Sequence, residues 1–159
     1  SEIAIKTFSQ IDTIIPDIFI LGQNEGVEDI LDEKFPMSLV KACNGDASRA
    51  FEAWAGMLLA MERFSDQDEF DVKGIKAFAT VYWDKNGNIK HIGYSLKPYS
   101  RNFRPDDLEK FFRRFMETYR FPVRAKSKFQ HTFTLALPYP REIIRIDKTK
   151  ETSTTSKSQ

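Results

Sequence analysis

The stretch GIKAFATVYWDKNGNIKHIGYSLK, residues 74–97, decides how this chain folds. Ile75, Ala77, Ala79, Val81 and Trp83 alternate with Phe78, Thr80 and Tyr82, the two-residue period of a strand with two distinct faces. Asn86-Gly87 supplies the positive φ angles of a tight turn. Ile92, Tyr94 and Leu96 then resume the alternation on the return. A hairpin is predicted, with strands over 75–84 and 88–97.

The flanks carry helical periods. Upstream, Ala47, Ala50, Phe51, Trp54, Met57, Leu58 and Met61 form one apolar stripe, predicting a helix over 47–63 that Asp46 caps. The run SDQDEFD after it reads as an acidic, exposed connection. Downstream, Pro105, Asp106 and Asp107 suit the first turn of a helix over 105–120. Leu108, Phe111, Phe112, Phe115, Met116 and Tyr119 make its apolar face, and Phe121-Pro122 ends it. KFQHTFTLAL, residues 128–137, reads as a third strand with Phe129, Phe133, Leu135 and Leu137 on one face. The expected fold is α+β: a three-stranded antiparallel sheet in ββαβ order, with both helices packed on one face.

Three segments are expected. Residues 1–44 form an N-terminal extension of strand-like pieces, EIAIKTF and IIPDIFILG, and a helix over 26–42 that Pro36 splits or ends. Residues 45–140 form the α+β domain. Residues 141–159 form a C-terminal segment whose tail, from about Lys148, has no apolar residue and is expected to be disordered.

Composition is that of a folded chain with a Phe-rich core: 41% hydrophobic, 13% aromatic and 14 Phe in 159 residues. The net charge of +1 makes no case for a nucleic-acid or membrane partner. Its distribution is uneven. Residues 1–71 carry 15 acidic and 5 basic side chains, and residues 72–159 carry 8 and 19. The charges are dispersed rather than in blocks, so mutual neutralisation on folding accounts for the asymmetry better than a basic docking face does. No run approaches the roughly 18 apolar residues of a membrane span.

Reactive constellations are absent from the pattern. The single Cys43 reads as a small buried hydrophobe without an identifiable base. His91 and His131 lie on strands that could be neighbours, but no third or fourth metal ligand accompanies them. Asp66, Asp68, Glu69 and Asp71 lack the Gly and closing Glu of a calcium loop. Gly-rich phosphate loops and the nucleophile elbow are missing. Cations alternate with rings between Lys97 and Lys128, as single-stranded nucleic acid binding requires. The helical rings are needed by the core, however, which leaves only Tyr99 and Phe103. No catalytic residue, cofactor or metal site is therefore expected.

The ordered set of Gly74, the strand 75–83, Asp84-Lys85-Asn86-Gly87-Asn88-Ile89, the helix 105–120, Phe121-Pro122 and TFTLALP at 132–138 is informative. From Asp46 to Pro138 it resembles the C-terminal domain of TonB-like proteins. Phe121-Pro122 stands where that family carries Trp-Pro, and a relative without a membrane anchor or proline-rich spacer is expected. An isolated, divergent relative is the expectation. The resemblance implies a non-enzymatic interaction module of the bacterial cell envelope, periplasmic or secreted after loss of a signal sequence. It implies binding of an extended peptide from an envelope or outer-membrane protein along the last strand. Position alone points the same way, because a strand added after a crossover helix commonly lies at a sheet edge with unpaired backbone groups. The candidate partner-binding residues are Lys128, Phe129, Gln130, His131, Thr132, Phe133 and Thr134. Two rival expectations stand beside this one. Residues 1–24 or 142–146 could cover the edge, or the scaffold could serve a small ligand or an enzyme reaction.

Overall fold

A computed structural model describes residues 15–140. The elements in chain order are β1 (Ile18–Ile20), α1 (Glu25–Lys34), β2 (Met37–Ser38), α2 (Leu39–Ala42) and α3 (Ala47–Gln67). They continue with β3 (Lys76–Trp83), β4 (Ile89–Leu96), α4 (Pro105–Thr118) and β5 (Phe129–Ala136). The three anticipated strands form the centre, with β3 antiparallel to both β4 and β5. The expected disordered tail and the first part of the N-terminal extension lie outside the described residues.

The sheet is larger than the sequence suggested, and it is mixed. Five strands run in the order β1-β4-β3-β5-β2. β1 lies parallel to β4, with Ile18 opposite Ile92, and β2 lies parallel to β5, with Met37 opposite Phe129. The expected three-stranded antiparallel sheet is thus corrected to a five-stranded mixed one, still of the α+β class. The physical reason is that strands of three and two residues bury too few side chains to show a period, and pairing alone defines them. Gly93 admits β1 closely: a Cβ there would lie 2.7 Å from the Phe19 ring.

The two expected helices, α3 and α4, share one face of the sheet, and α1 from the N-terminal extension covers part of the other. The face of Ala77, Ala79, Val81 and Trp83 packs with Leu58, Met61, Phe112 and Phe115 from α3 and α4 in the main core. On the opposite face, Leu31 and Phe35 at the end of α1 bury Tyr82, with Phe19 and Val27 alongside. Phe35 meets Tyr82 edge-on at 5.3 Å between ring centroids. The second face is covered at that end only, since Phe78 remains 52% exposed.

Capping chemistry places α3 and α4. Asn44 and Gly45 both take positive φ, and Asp46 Oδ1 accepts the Arg49 N–H at 3.1 Å. α3 runs through Gln67, into the segment that reads as an acidic connection. Its extra turn sets Phe64 against Phe111 and Phe115, at 5.6 and 5.7 Å. Asp68, just past the helix end, accepts two donors from the Arg114 guanidinium of α4 at 2.9 and 2.7 Å.

Candidate functional site

The expected edge position is corrected: β5, which carries the candidate residues, is second from one side of the sheet, with the two-residue β2 outside it. Its inner edge pairs with β3 along its whole length. Its outer edge meets β2 at only two positions, Met37 opposite Phe129 and Ser38 opposite Gln130. The reason is local. Ser38 is both the last residue of β2 and the N-cap of α2, its Oγ accepting the Lys41 N–H at 3.2 Å. A cap starts a helix, so strand pairing stops there, and α2 continues beside β5 with Leu39 and Ala42 buried in the main core.

Ladder geometry identifies the groups left open. Leu137 N–H donates to Ile75 O at 3.2 Å, so odd-numbered residues bond inward to β3. Met37 N–H donates outward to Lys128 O at 3.4 Å, on the even-numbered phase. Thr132, Thr134 and Ala136 continue that outward phase. Among the described residues, no backbone group bonds to them from outside the sheet.

The two sides of this edge differ. On the even-numbered face Thr132 and Thr134 are exposed, and Thr132 Oγ1 lies 2.9 Å from Thr80 Oγ1 across the ladder. Gln130 is tied down, its Nε2 donating to Phe35 O at 2.8 Å and to Asp32 Oδ1 at 3.2 Å. On the odd-numbered face the half-buried Trp54 of α3 lies 4.2 Å from the Phe133 ring and 5.7 Å from His131. Phe51, one turn earlier on α3, is 46% exposed. An extended segment on the outer edge would therefore meet hydroxyls on one side and aromatic surface on the other.

The seven candidates are not brought together equally. His131, Thr132, Phe133 and Thr134 stand beyond the β2 pairing, Phe133 with its ring buried. Phe129 is buried and stacks on Trp83 at 5.1 Å. Gln130 is held by α1, and Lys128 is exposed with its Nζ 5.5 Å from the Phe35 ring centroid. Trp54 and Ala136 belong to the site but escaped sequence reading, Trp54 because its helical spacing matches that of core residues. Phe51, three residues earlier, falls in the same apolar stripe and gave no signal either, although it is exposed. Of the two rival covers, the described part of residues 1–24 contributes β1, which pairs with β4 on the other side of the sheet. Residues 142–146 lie outside the described residues.

Neither histidine shares a ligand set with the other, and among the described residues no cluster of three His, Cys, Asp or Glu could hold a metal ion. His91 bonds through Nδ1 to Pro16 O at 2.9 Å; a carbonyl only accepts, so Nδ1 carries the proton. Burial is the main cause that lowers the pKa of both imidazoles. Burial likewise raises the Cys43 thiol, which keeps it protonated. Because the folded histidines resist charging, the unfolded chain binds protons more readily below its ordinary value of 6.5. Their stabilisation is fully present above that value. It falls as pH drops through 6.5 towards the lowered folded pKa values. Urea midpoints are expected to decline between about pH 7.5 and 5.5, and His91→Asn with His131→Asn should flatten that slope. An unchanged midpoint in the parent protein over that range would contradict burial of the neutral rings.

Among the described residues, no helix is long and apolar enough to cross a membrane. No family model, no curated protein and no solved structure matches this chain.

Proposed function

We propose that this domain is a non-enzymatic interaction module that binds an extended peptide as an added strand on the outer edge of β5. One observation carries the reading: three successive outward positions, Thr132, Thr134 and Ala136, have no described backbone partner beyond the point where β2 turns into α2. Backbone pairing supplies sequence-independent affinity, and the alternate faces supply selection of side chains. Each hydrogen bond adds only about 1 kcal/mol net, so three or four of them with one aromatic contact suit micromolar, reversible binding. The resemblance to TonB-like C-terminal domains adds an envelope location and an envelope or outer-membrane protein as the source of the peptide. Fractionation of native cells with an antibody to this domain tests that location.

The decisive substitution is Thr134→Pro. It removes an outward N–H and leaves the inward bonds of Phe133 and Leu135 in place, a setting where a strand tolerates proline. Linear peptides selected from a random library against the parent protein are the probe. Their affinity is expected to fall by at least about tenfold in Thr134→Pro, with the far-ultraviolet spectrum unchanged. Thr134→Val keeps the N–H and should bind as the parent does. Peptides that bind both variants equally would remove β5 from the site.

A further inference from the structure

At the covered end of β5, well away from its open stretch, the parallel pairings create a cleft of about 300 Å³. It is lined by Ile15, Asp17, Lys34, Phe35, Lys90, His91 and Lys128. Four separate chain segments meet there: the approach to β1, the end of α1, the start of β4 and the residue before β5. Lys34, Lys90 and Lys128 are exposed, whereas His91 is half-buried and Phe35 buried. None of the three lysines takes part in an ion pair among the described residues.

We propose that this cleft binds a phosphate monoester, with Lys34, Lys90 and Lys128 as the cationic groups and Ile15 and Phe35 as the wall for its organic part. Three lysines and one acidic residue, Asp17, line the same concavity. Placing like charges together raises the energy of the empty cleft, and a compact dianion relieves it more than scattered monovalent counter-ions do. Lysine binds phosphate as a point charge and needs no fork geometry, so convergence of the side chains is the requirement that matters. The volume lies at the lower limit of small-molecule sites, which excludes a large ligand and leaves space beyond the phosphoryl group. Ile15 and Phe35 give the lining apolar surface as well, which favours an organic phosphate over the inorganic ion.

His91 provides an internal reporter. The groups facing it are Asp17 before β1, Lys34 and Phe35 at the end of α1, its own neighbour Lys90, and Tyr82 of β3, whose ring is 6.2 Å away. Lys128 completes the cleft. The two nearby lysines oppose charging of the imidazole, and a bound dianion would offset them. Occupancy must therefore raise the His91 pKa, whereas general screening by salt acts on every exposed group.

Amide and imidazole resonances of the whole chain, titrated with inorganic phosphate and with phenyl phosphate, test the site. Ionic strength is held constant with chloride. Saturable shifts are expected at residues 15–18, 34–35, 90–91 and 128, with phenyl phosphate the tighter ligand and the His91 pKa rising on binding. Lys90→Gln and Lys128→Gln should each weaken phenyl phosphate by about tenfold, the value of one charge-assisted contact. Both side chains are exposed, so neither variant endangers folding. Phosphatidylcholine vesicles doped with phosphatidic acid form the second arm. Capture by these vesicles that is lost in both lysine variants, without a response to phenyl phosphate, would assign the phosphomonoester to a lipid headgroup. Shifts reproduced by chloride alone, or spread equally to Lys76 and Lys97, would overturn the proposal. So would vesicle capture that the two substitutions leave intact.

Discussion

Replacing Gly87 by alanine is expected to destabilise the protein by about 3–5 kcal/mol. Gly87 has φ +88°, which costs an L-residue about 1–2 kcal/mol. A Cβ there would also lie 2.3 Å from the carbonyl oxygen of Phe121 and 3.0 Å from that of Val123. Both contacts are with backbone, so no side chain can rotate away. The segment 120–125 would have to retreat, yet it is bonded to the turn: Phe121 N–H donates to Gly87 O at 2.9 Å and Ala125 N–H to Lys85 O at 3.0 Å. Its retreat would also separate the Phe121 ring from Trp83, on which it stacks at 4.4 Å. Overpacking of this kind costs about 1–3 kcal/mol and a lost hydrogen bond about 1 more. Asn86→Ala, one residue earlier, keeps the backbone N–H that donates to Asp84 Oδ1 at 2.9 Å and should cost under about 1 kcal/mol. Equilibrium urea unfolding of both variants separates the two cases. A Gly87→Ala cost as small as that of Asn86→Ala would mean that the turn and segment 120–125 do not touch.

The hairpin thus has a structural duty that its sequence only half reveals. Asn86-Gly87 announces a turn, and the turn is where the pattern puts it. Nothing in the local pattern says that a second segment rests on Gly87, because that contact spans more than thirty residues. The same division runs through the molecule. β3, β4, β5, α3 and α4 were legible because each repeats an apolar residue at the period of its own backbone. β1 falls inside IIPDIFILG, which reads as a strand-like piece, but its pairing with β4 does not show in the sequence. β2, the dipeptide MS, is too short for any period and is a strand only by virtue of β5.

Not seeing where β1 and β2 pair also hid what α1 does. Val27, Ile30, Leu31 and Phe35 were readable as a helical stripe, but its target was not. Phe78, Thr80 and Tyr82 offered a hint, since a face bound for solvent seldom carries two aromatic rings. The structure splits them: Tyr82 is 2% exposed beneath α1, and Phe78 stays open with Lys97 Nζ 4.6 Å above its ring. The candidate edge was legible as a strand, and its limits were not. Only the double role of Ser38, in β2 and as cap of α2, explains why strand pairing stops at Gln130. Lys34, Lys90 and Lys128 are far apart in sequence and signal nothing singly; the parallel pairings of β1 and β2 gather them at one end of the sheet.

Phe112→Ala is expected to cost about 3–5 kcal/mol, the range for removing a buried aromatic ring. Phe112 is 1% exposed and differs in orientation from its neighbours on α4. Phe111 and Phe115 turn towards Phe64 of α3, whereas Phe112 turns to the sheet, 5.4 Å from Tyr94 of β4. Ile18 and Ile20 of β1 sit beside β4 in the same core, opposite Ile92 and Tyr94. The ring therefore joins α4 to the side of the sheet on which the N-terminal strand docks, and its loss leaves a cavity between a helix and a fixed ladder. Ladders collapse poorly onto such a gap, which places the cost towards the upper part of the range. Phe51→Ala removes the same group from an exposed position on α3, where no cavity forms, and should cost under about 1 kcal/mol. Comparing the two substitutions holds side-chain chemistry constant and varies burial alone. Denaturant midpoints that moved equally for both would mean that α4 does not present Phe112 to the sheet, and the packing that fixes β4 against β1 would need another source.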